Sequence, residues 1–252
     1  MDASMWVAKT GLDAQQTRMN VISNNLANVS TTGFKRDRAV FEDLLYQNIR
    51  QAGGQTTANT QAPTGLMLGT GTKVVATEKL HIQGNLINSQ NPLDVAIMGD
   101  GFFQIQTPGG TRLSRAGHFM PNNQGDLVTP DGYRVLDAGG APLGIPQGTG
   151  KISISADGTL SSKGQLLGQL GIVQPSTGTQ ILREDGVHFR ADGPTEPNFD
   201  ARVRQGFLEG SNVNPMSQIA RMIEVQRAYE MGQSFAETEN ERLRNAVRTI
   251  IK

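Results

Sequence analysis

Residues 1–35 read MDASMWVAKTGLDAQQTRMNVISNNLANVSTTGFK. Within them Met1, Met5, Ala8, Leu12, Gln15, Met19, Ile22, Leu26 and Val29 recur at alternating steps of four and three. That is the seven-residue period that lets one helix supercoil with another. Roughly 30 residues at ~1.5 Å each predict a rod of ~45 Å. Gly11 weakens it by about 0.5–1 kcal/mol, and the Asn24-Asn25 pair weakens it further. The helix is expected to stop near Ser30-Thr31-Thr32-Gly33, where Gly33 can take a positive φ.

Working outward, the far end of the chain carries a second helical stretch over residues 213–251. Asn212 or Asn214 can cap it, and Pro215 fits its first turn. Its seam runs Ile219, Met222, Gln226, Tyr229, Gln233, Ala236, Asn240, Leu243, Val247 and Ile250, again in steps of three and four. Met216, Ile223, Val225, Met231 and Phe235 lie off that seam, so the helix is apolar on more than one stripe, as befits an element with several neighbours. Both seams are interrupted by amides (Gln15, Gln226, Gln233, Asn240). A buried leucine contributes roughly 1.5–3 kcal/mol, and a buried amide without a partner removes about as much. Two such helices alone are marginal against the entropy of ordering about 70 residues, so they fit elements that order when neighbours cover them. The rival reading is an intramolecular helical hairpin that caps the rest of the chain.

Between the ends the pattern changes. Residues 34–50 mix charge with Val40, Phe41, Leu44, Leu45 and Ile49, which suits a short helix or an extended arm. Residues 51–65, QAGGQTTANTQAPTG, have the composition of a polar loop. Residues 66–206 show no sustained helical period. Short apolar runs (102–105, 151–154, 166–173) lie between turn pairs such as Gly99-Asp100-Gly101, Asp131-Gly132 and Asp157-Gly158. That alternation predicts an antiparallel β domain.

Composition excludes several function classes. Lys and Arg number 23, as do Asp and Glu, so there is no cationic excess for neutralising nucleic-acid phosphates. A chain without net charge lacks the self-repulsion that keeps copies apart. With no cysteine, disulfides, thiolate metal sites and cysteine nucleophiles are ruled out. His81, His118 and His188 are far apart in sequence and form no metal-binding motif. No apolar run is long enough to cross a membrane as a helix. Asp2, Lys9, Asp13 and Arg18 interrupt the N-terminal stretch where a cleaved signal peptide would be apolar.

The enzyme motifs fail one by one. No Lys-Ser or Lys-Thr follows Gly99-Asp100-Gly101, so it reads as a β-turn and not a phosphate loop. The Asp-Gly pairs do not recur at calcium-loop spacing. No Gly-x-Ser-x-Gly elbow exists. Glu237, Glu239 and Glu241 face Arg242, Arg244 and Arg248 as a charged helix surface. No catalytic residue, cofactor or metal is expected.

Resemblance sharpens this reading. Asn24-Asn25-Leu26-Ala27-Asn28-Val29-Ser30-Thr31-Thr32-Gly33-Phe34-Lys35 resembles the signature of the bacterial flagellar basal-body rod and hook family of axial proteins. Gly210-Ser211-Asn212-Val213-Asn214 and Met222-Ile223-Glu224-Val225-Gln226-Arg227-Ala228-Tyr229-Glu230 are similar to its C-terminal partner motif. Leu93-Asp94-Val95-Ala96-Ile97, Gly99-Asp100-Gly101-Phe102-Phe103 and Ser114-Arg115-Ala116-Gly117-His118-Phe119 extend the likeness through the middle. Residues 1–50 are most like the distal rod members, whereas residues from about 150 on, including Gly206-Phe207-Leu208-Glu209-Gly210, lean toward the proximal rod paralogue.

The resemblance implies an α+β subunit of a self-assembling polymer. Residues 1–33 and 207–252 would pair as a coiled-coil inner domain. Residues 34–75 would connect, with a polar insertion at 46–65 that locks neighbouring subunits in distal rod proteins. Residues 76–206 would form the β-rich outer domain. The implied function is a stiff hollow drive shaft carrying torque from motor to hook; the alternatives are a proximal rod or hook paralogue, or a non-flagellar enzyme borne on a β domain. Implied partners are further copies of the chain, other rod proteins, the hook protein, surrounding ring proteins and the flagellar type III export apparatus, with no nucleic acid and no membrane insertion. The implied location is the periplasm-spanning basal body. The expected assembly residues are Met5, Leu12, Met19, Ile22, Asn25, Leu26, Asn28, Gly33, Phe34, Ile219, Met222, Tyr229, Leu243, Val247 and Ile250.

Overall fold

A computed structural model describes residues 3–50, 55–57, 60–61, 66–146 and 148–250. The architecture is α+β, with a helix at each end and β-structure between them. Helix α1 covers Ala3–Ala27 and helix α2 covers Pro215–Ile250. Proline at the first position of α2 loses no hydrogen bond, because a helix leaves that N–H unpaired anyway. Asn212 does not cap this helix. Its side chain is taken by other backbone groups, accepting from the Arg36 N–H at 2.7 Å and donating to the carbonyls of Leu80 and Ile82.

The chain divides into two compact units. The first holds the described parts of residues 1–26, 37–78 and 215–252. The second holds residues 27–36 and 79–214.

In the first unit, residues 34–50 take the extended of the two options. Asp37–Asp43 pairs with Thr72–Lys79, and Tyr46–Arg50 pairs antiparallel with Leu66–Gly69. The stretch composed like a loop is also partly paired: Gln55–Thr57 bonds to Thr60–Gln61. Thr and Gln can alternate along a hairpin without an apolar face, so composition concealed it. The rest of the insertion, at 51–54, 58–59 and 62–65, lies outside the described residues.

Two contacts give the register of α1 and α2. A Cβ placed on Gly232 would come within 2.9 Å of Leu12 Cδ2, and Asn25 Nδ2 donates to Gln218 Oε1 at 3.4 Å. The helices therefore run antiparallel. Both rise equally per residue, so counting outward from these contacts sets Ala3 opposite about residue 240. The last turns of α2 continue past the first described residue of α1.

The second unit is built around the strand Phe102–Thr107. One edge pairs with Gly110–Ser114, in the register Phe103↔Ser114 and Ile105↔Arg112. The other edge is shared by Arg134–Val135 and Ile172–Pro175. The sheet is covered on both sides. Phe103 packs with Phe119, Leu127 and Leu160 in the main core. Phe102 faces the other way, into a cluster with Leu113, Val173 and Phe189. Along this strand Phe103 and Ile105 are buried, Gln104 is half-buried and Gln106 is exposed, the period of two of a strand with one dry face, and Phe102 adds apolar cover on the other. The chain's last strands close this unit: Arg202–Gln205 pairs with Val95–Met98, and Phe207–Glu209 with Leu86–Asn88.

Candidate functional site

The sequence points to surfaces and anchors and not to a reaction centre, so the site is built from the two helices and the signature that follows α1. On α1, Met5, Leu12, Met19 and Leu26 are half-buried and Ile22 is buried, so the predicted seam is the covered side of that helix. On α2 the covered line differs from the predicted one. It runs through Gln218, Met222, Val225, Tyr229, Gly232, Ala236 and Glu239, still in steps of four and three. Gln226, Gln233 and Asn240, which the predicted seam included, are exposed. The displacement has a steric reason. Gly232 lies against Leu12, and its missing side chain draws this line toward α1. Counting apolar residues gives a glycine no weight.

Ile219, Leu243 and Val247 are exposed, and Met222 and Tyr229 are half-buried. The Ile250 side chain lies outside the described residues. Leu243 and Val247 lie along the same stripe as the covered residues, on the last turns of α2. A second apolar stripe, Met216, Ile219, Ile223, Met231 and Phe235, faces solvent, with Met231 at 68% and Phe235 at 50% exposure. Single exposed apolar residues are ordinary, but a row of them on one helix marks a contact surface.

The signature residues act as anchors. Asn25, 1% exposed, accepts from the Asp37 N–H at 2.8 Å and donates to the Asp37 carbonyl at 2.9 Å. Its carboxamide thus pairs with the start of the extended arm as a neighbouring strand would, and the same nitrogen reaches Gln218 on α2. Asn28 accepts from the Thr31 hydroxyl and, through its carbonyl, from the Thr31 N–H in the turn that ends the helix. Gly33 then adopts φ +71°. A side chain there would meet Ala116 N at 2.5 Å and the Arg115 carbonyl carbon at 2.7 Å, so the position demands glycine twice over.

Phe34 is buried, with the Lys79 ammonium 4.4 Å from its ring centroid. Lys35, fully buried, donates to Glu209 Oε1 at 2.6 Å and to the Ile82 carbonyl at 2.8 Å. Arg115 donates to Glu209 Oε2 at 3.3 Å and to the Gly99 carbonyl at 2.8 Å, its guanidinium 5.3 Å from the Phe102 ring. Burial holds both the Lys35 and the Arg115 cations below their ordinary pKa, against the opposing pull of Glu209.

Three quoted motifs thus meet in one place: the end of the helix signature, Ser114-Arg115-Ala116, and Phe207-Leu208-Glu209. Sequence reasoning singled out Gly33 and Phe34 but missed Lys35, Arg115 and Glu209 as partners. The available signal was charge inside otherwise apolar motifs. Among the described residues no group of three His, Asp or Glu side chains is placed to hold a metal ion. No described helix is long and apolar enough to cross a membrane.

A chain that spends its polar residues on anchoring its own ends, and leaves an apolar helix face open, is a structural subunit. Residues 5–35 match the flagella basal body rod protein family, residues 96–162 the flagellar hook protein FlgE/F/G D1 domain, and residues 204–249 the flagellar basal body rod FlgEFG protein C-terminal region. The flagellar basal-body rod protein FlgG of Buchnera aphidicola from Acyrthosiphon pisum is 44% identical, over 96% of this chain and 98% of its own length. FlgG of Agrobacterium fabrum is 40% identical over 93% of this chain and 94% of its own, and FlgF of Mesorhizobium japonicum 35% over 91% and 90%. The chain belongs to the flagellar basal-body rod protein family and is similar over nearly its whole length to FlgG, the distal rod member. The similarity to FlgG runs through the part beyond residue 150 that resembles the proximal paralogue. Its work is structural, and it is not an enzyme.

Proposed function

We propose that this protein is the repeating subunit of the distal flagellar rod, polymerising through its terminal helices into a stiff hollow shaft that carries torque from motor to hook. The observation that carries the reading is the pair of apolar faces on α2. One is covered within the chain, and the other, from Met216 to Phe235, is left open. In this reading α1 and α2 form a coiled-coil inner domain through their covered seam residues, the β-rich unit faces outward, and Ile219, Leu243 and Val247, exposed on α2, lie between subunits. Apolar surface is worth roughly 25 cal/mol per Å² removed from water, so many modest contacts repeated along a polymer sum to a rigid assembly.

The FlgG relatives support a place in the basal body; the proposed neighbours are other rod proteins, the hook protein and the surrounding rings. Delivery by the flagellar export apparatus is part of this reading. The paired arm formed by residues 46–50 and 66–69 supports a locking role for the insertion. Electron microscopy of concentrated protein tests the proposal. Straight tubular filaments are expected, and deleting residues 46–65 should bend or soften them. A monodisperse monomer at every concentration would refute polymerisation through this chain alone. Unchanged straight filaments after the deletion would refute the locking role.

A further inference from the structure

Glu209 is shared by several stretches of the second unit that are distant in sequence. Its backbone carbonyl accepts from the Gly33 N–H at 2.7 Å. Oε1 accepts from Lys35 Nζ at 2.6 Å and from the Gly84 N–H at 2.8 Å, and Oε2 from Arg115 Nη1 at 3.3 Å. The side chains of Lys35, Arg115 and Glu209 are all within 2% of complete burial. The cluster therefore holds two cations and one bonded carboxylate away from water. Asp100 adds a favourable field from outside it. Lys79, the next nearby cation, donates to the Lys35 carbonyl and covers Phe34.

Chain order gives this geometry a consequence. Lys35, Gly84 and Arg115 precede Glu209 by 174, 125 and 94 residues. Without the final strand the segments carrying these groups can approach, but they bring two cations and no bonded anion into a dry space. Removing one partner from a buried charge cluster is strongly destabilising, whereas replacing the whole cluster by apolar residues can be neutral. The penalty thus falls on the chain whose Phe207–Glu209 strand is not in place.

We propose that Glu209 is a completion latch: the segments bearing Lys35, Gly84 and Arg115 lock only when the last strand of the unit delivers its carboxylate. A chain whose Phe207–Glu209 strand is missing or unravelled then leaves the distant segment after α1 undocked. The latch is independent of what the assembled subunits build. It makes docking of the signature segment a report on whether that late strand is in place.

The test is amide hydrogen exchange on the full-length protein carrying Glu209→Gln, which keeps size and some hydrogen bonding but removes the charge. The Gly33 amide and the Leu80 amide, which bonds to the Arg36 carbonyl, should exchange at least about tenfold faster. The hairpin Ile152–Ile154/Thr159–Ser162 of the same unit should be unchanged. Full-length Lys35→Met/Arg115→Met/Glu209→Met, which needs no latch, should recover protection at both amides. Glu209→Gln should also speed unfolding and leave refolding unchanged, because the latch closes after the barrier. Unaltered exchange at Gly33 and Leu80, equal acceleration in the hairpin, slowed refolding, or a triple variant as labile as Glu209→Gln would each overturn the proposal. Should Glu209→Gln not fold at all, a folded triple variant supports the latch and an unfolded one refutes it.

Discussion

Gly33 shows how much one position can be asked to do. It turns the chain through a left-handed conformation and lies where a methyl group would overlap the backbone of residues 115 and 116. Gly33→Ala therefore combines about 1–2 kcal/mol of backbone strain with about 1–3 kcal/mol of overpacking that backbone atoms cannot relieve. A loss of roughly 2–5 kcal/mol is expected in urea denaturation, with the midpoint lowered and the slope kept. An unchanged midpoint would mean that the segment docks differently. The positive φ of this glycine was legible from its place after a helix. The role of Asn25 was not. A helix-weakening asparagine and one that completes the hydrogen bonds of an extended strand are the same letter, and only the position of Asp37 tells them apart. The Lys35–Glu209 pair was hidden for a related reason: local periodicity carries nothing about a partner 174 residues away.

At the scale of elements, both helices and the antiparallel β-structure between them were readable from period and turn signals. The face that α2 turns toward α1 was not. Seams drawn one residue apart have nearly the same apolar content here, and Gly232 decides between them by letting Leu12 approach. The two faces should respond differently to substitution. Val225→Ala on the covered face removes two buried methyl groups, costing about 1.5 kcal/mol at roughly 0.8 per carbon. Ile223→Glu or Phe235→Glu on the open face should change the free subunit's stability by no more than about 0.5 kcal/mol. The same charges should abolish filament formation if that face meets neighbouring subunits. Thermal unfolding and sedimentation of the three variants separate these effects. Filaments of normal length from Phe235→Glu would remove this face from the proposed interface.

At the scale of the molecule, equal numbers of acidic and basic residues and the absence of cysteine narrowed the function before any element was placed. The hairpin of Gln55–Thr57 with Thr60–Gln61 stayed hidden because a polar hairpin has the composition of a loop. The register that sets Ala3 opposite about residue 240 was equally invisible, since it depends on two helices and not on either alone. That register has a consequence for how the protein is handled. The end of a helix frays more readily than its middle. The last turns of α2 carry Arg242, Arg244 and Arg248, all exposed. Trypsin should trim the free subunit at these three sites well before it cuts after Arg221 or Arg227, which are equally exposed but lie on the stretch backed by α1. Timed digestion followed by mass spectrometry gives the order, and cleavage at Arg221 as early as at Arg244 would contradict the register. In the proposed polymer a neighbour covers these turns, so a ragged C-terminus after such digestion would mark subunits outside it, a tally of unassembled protein written in the chain itself.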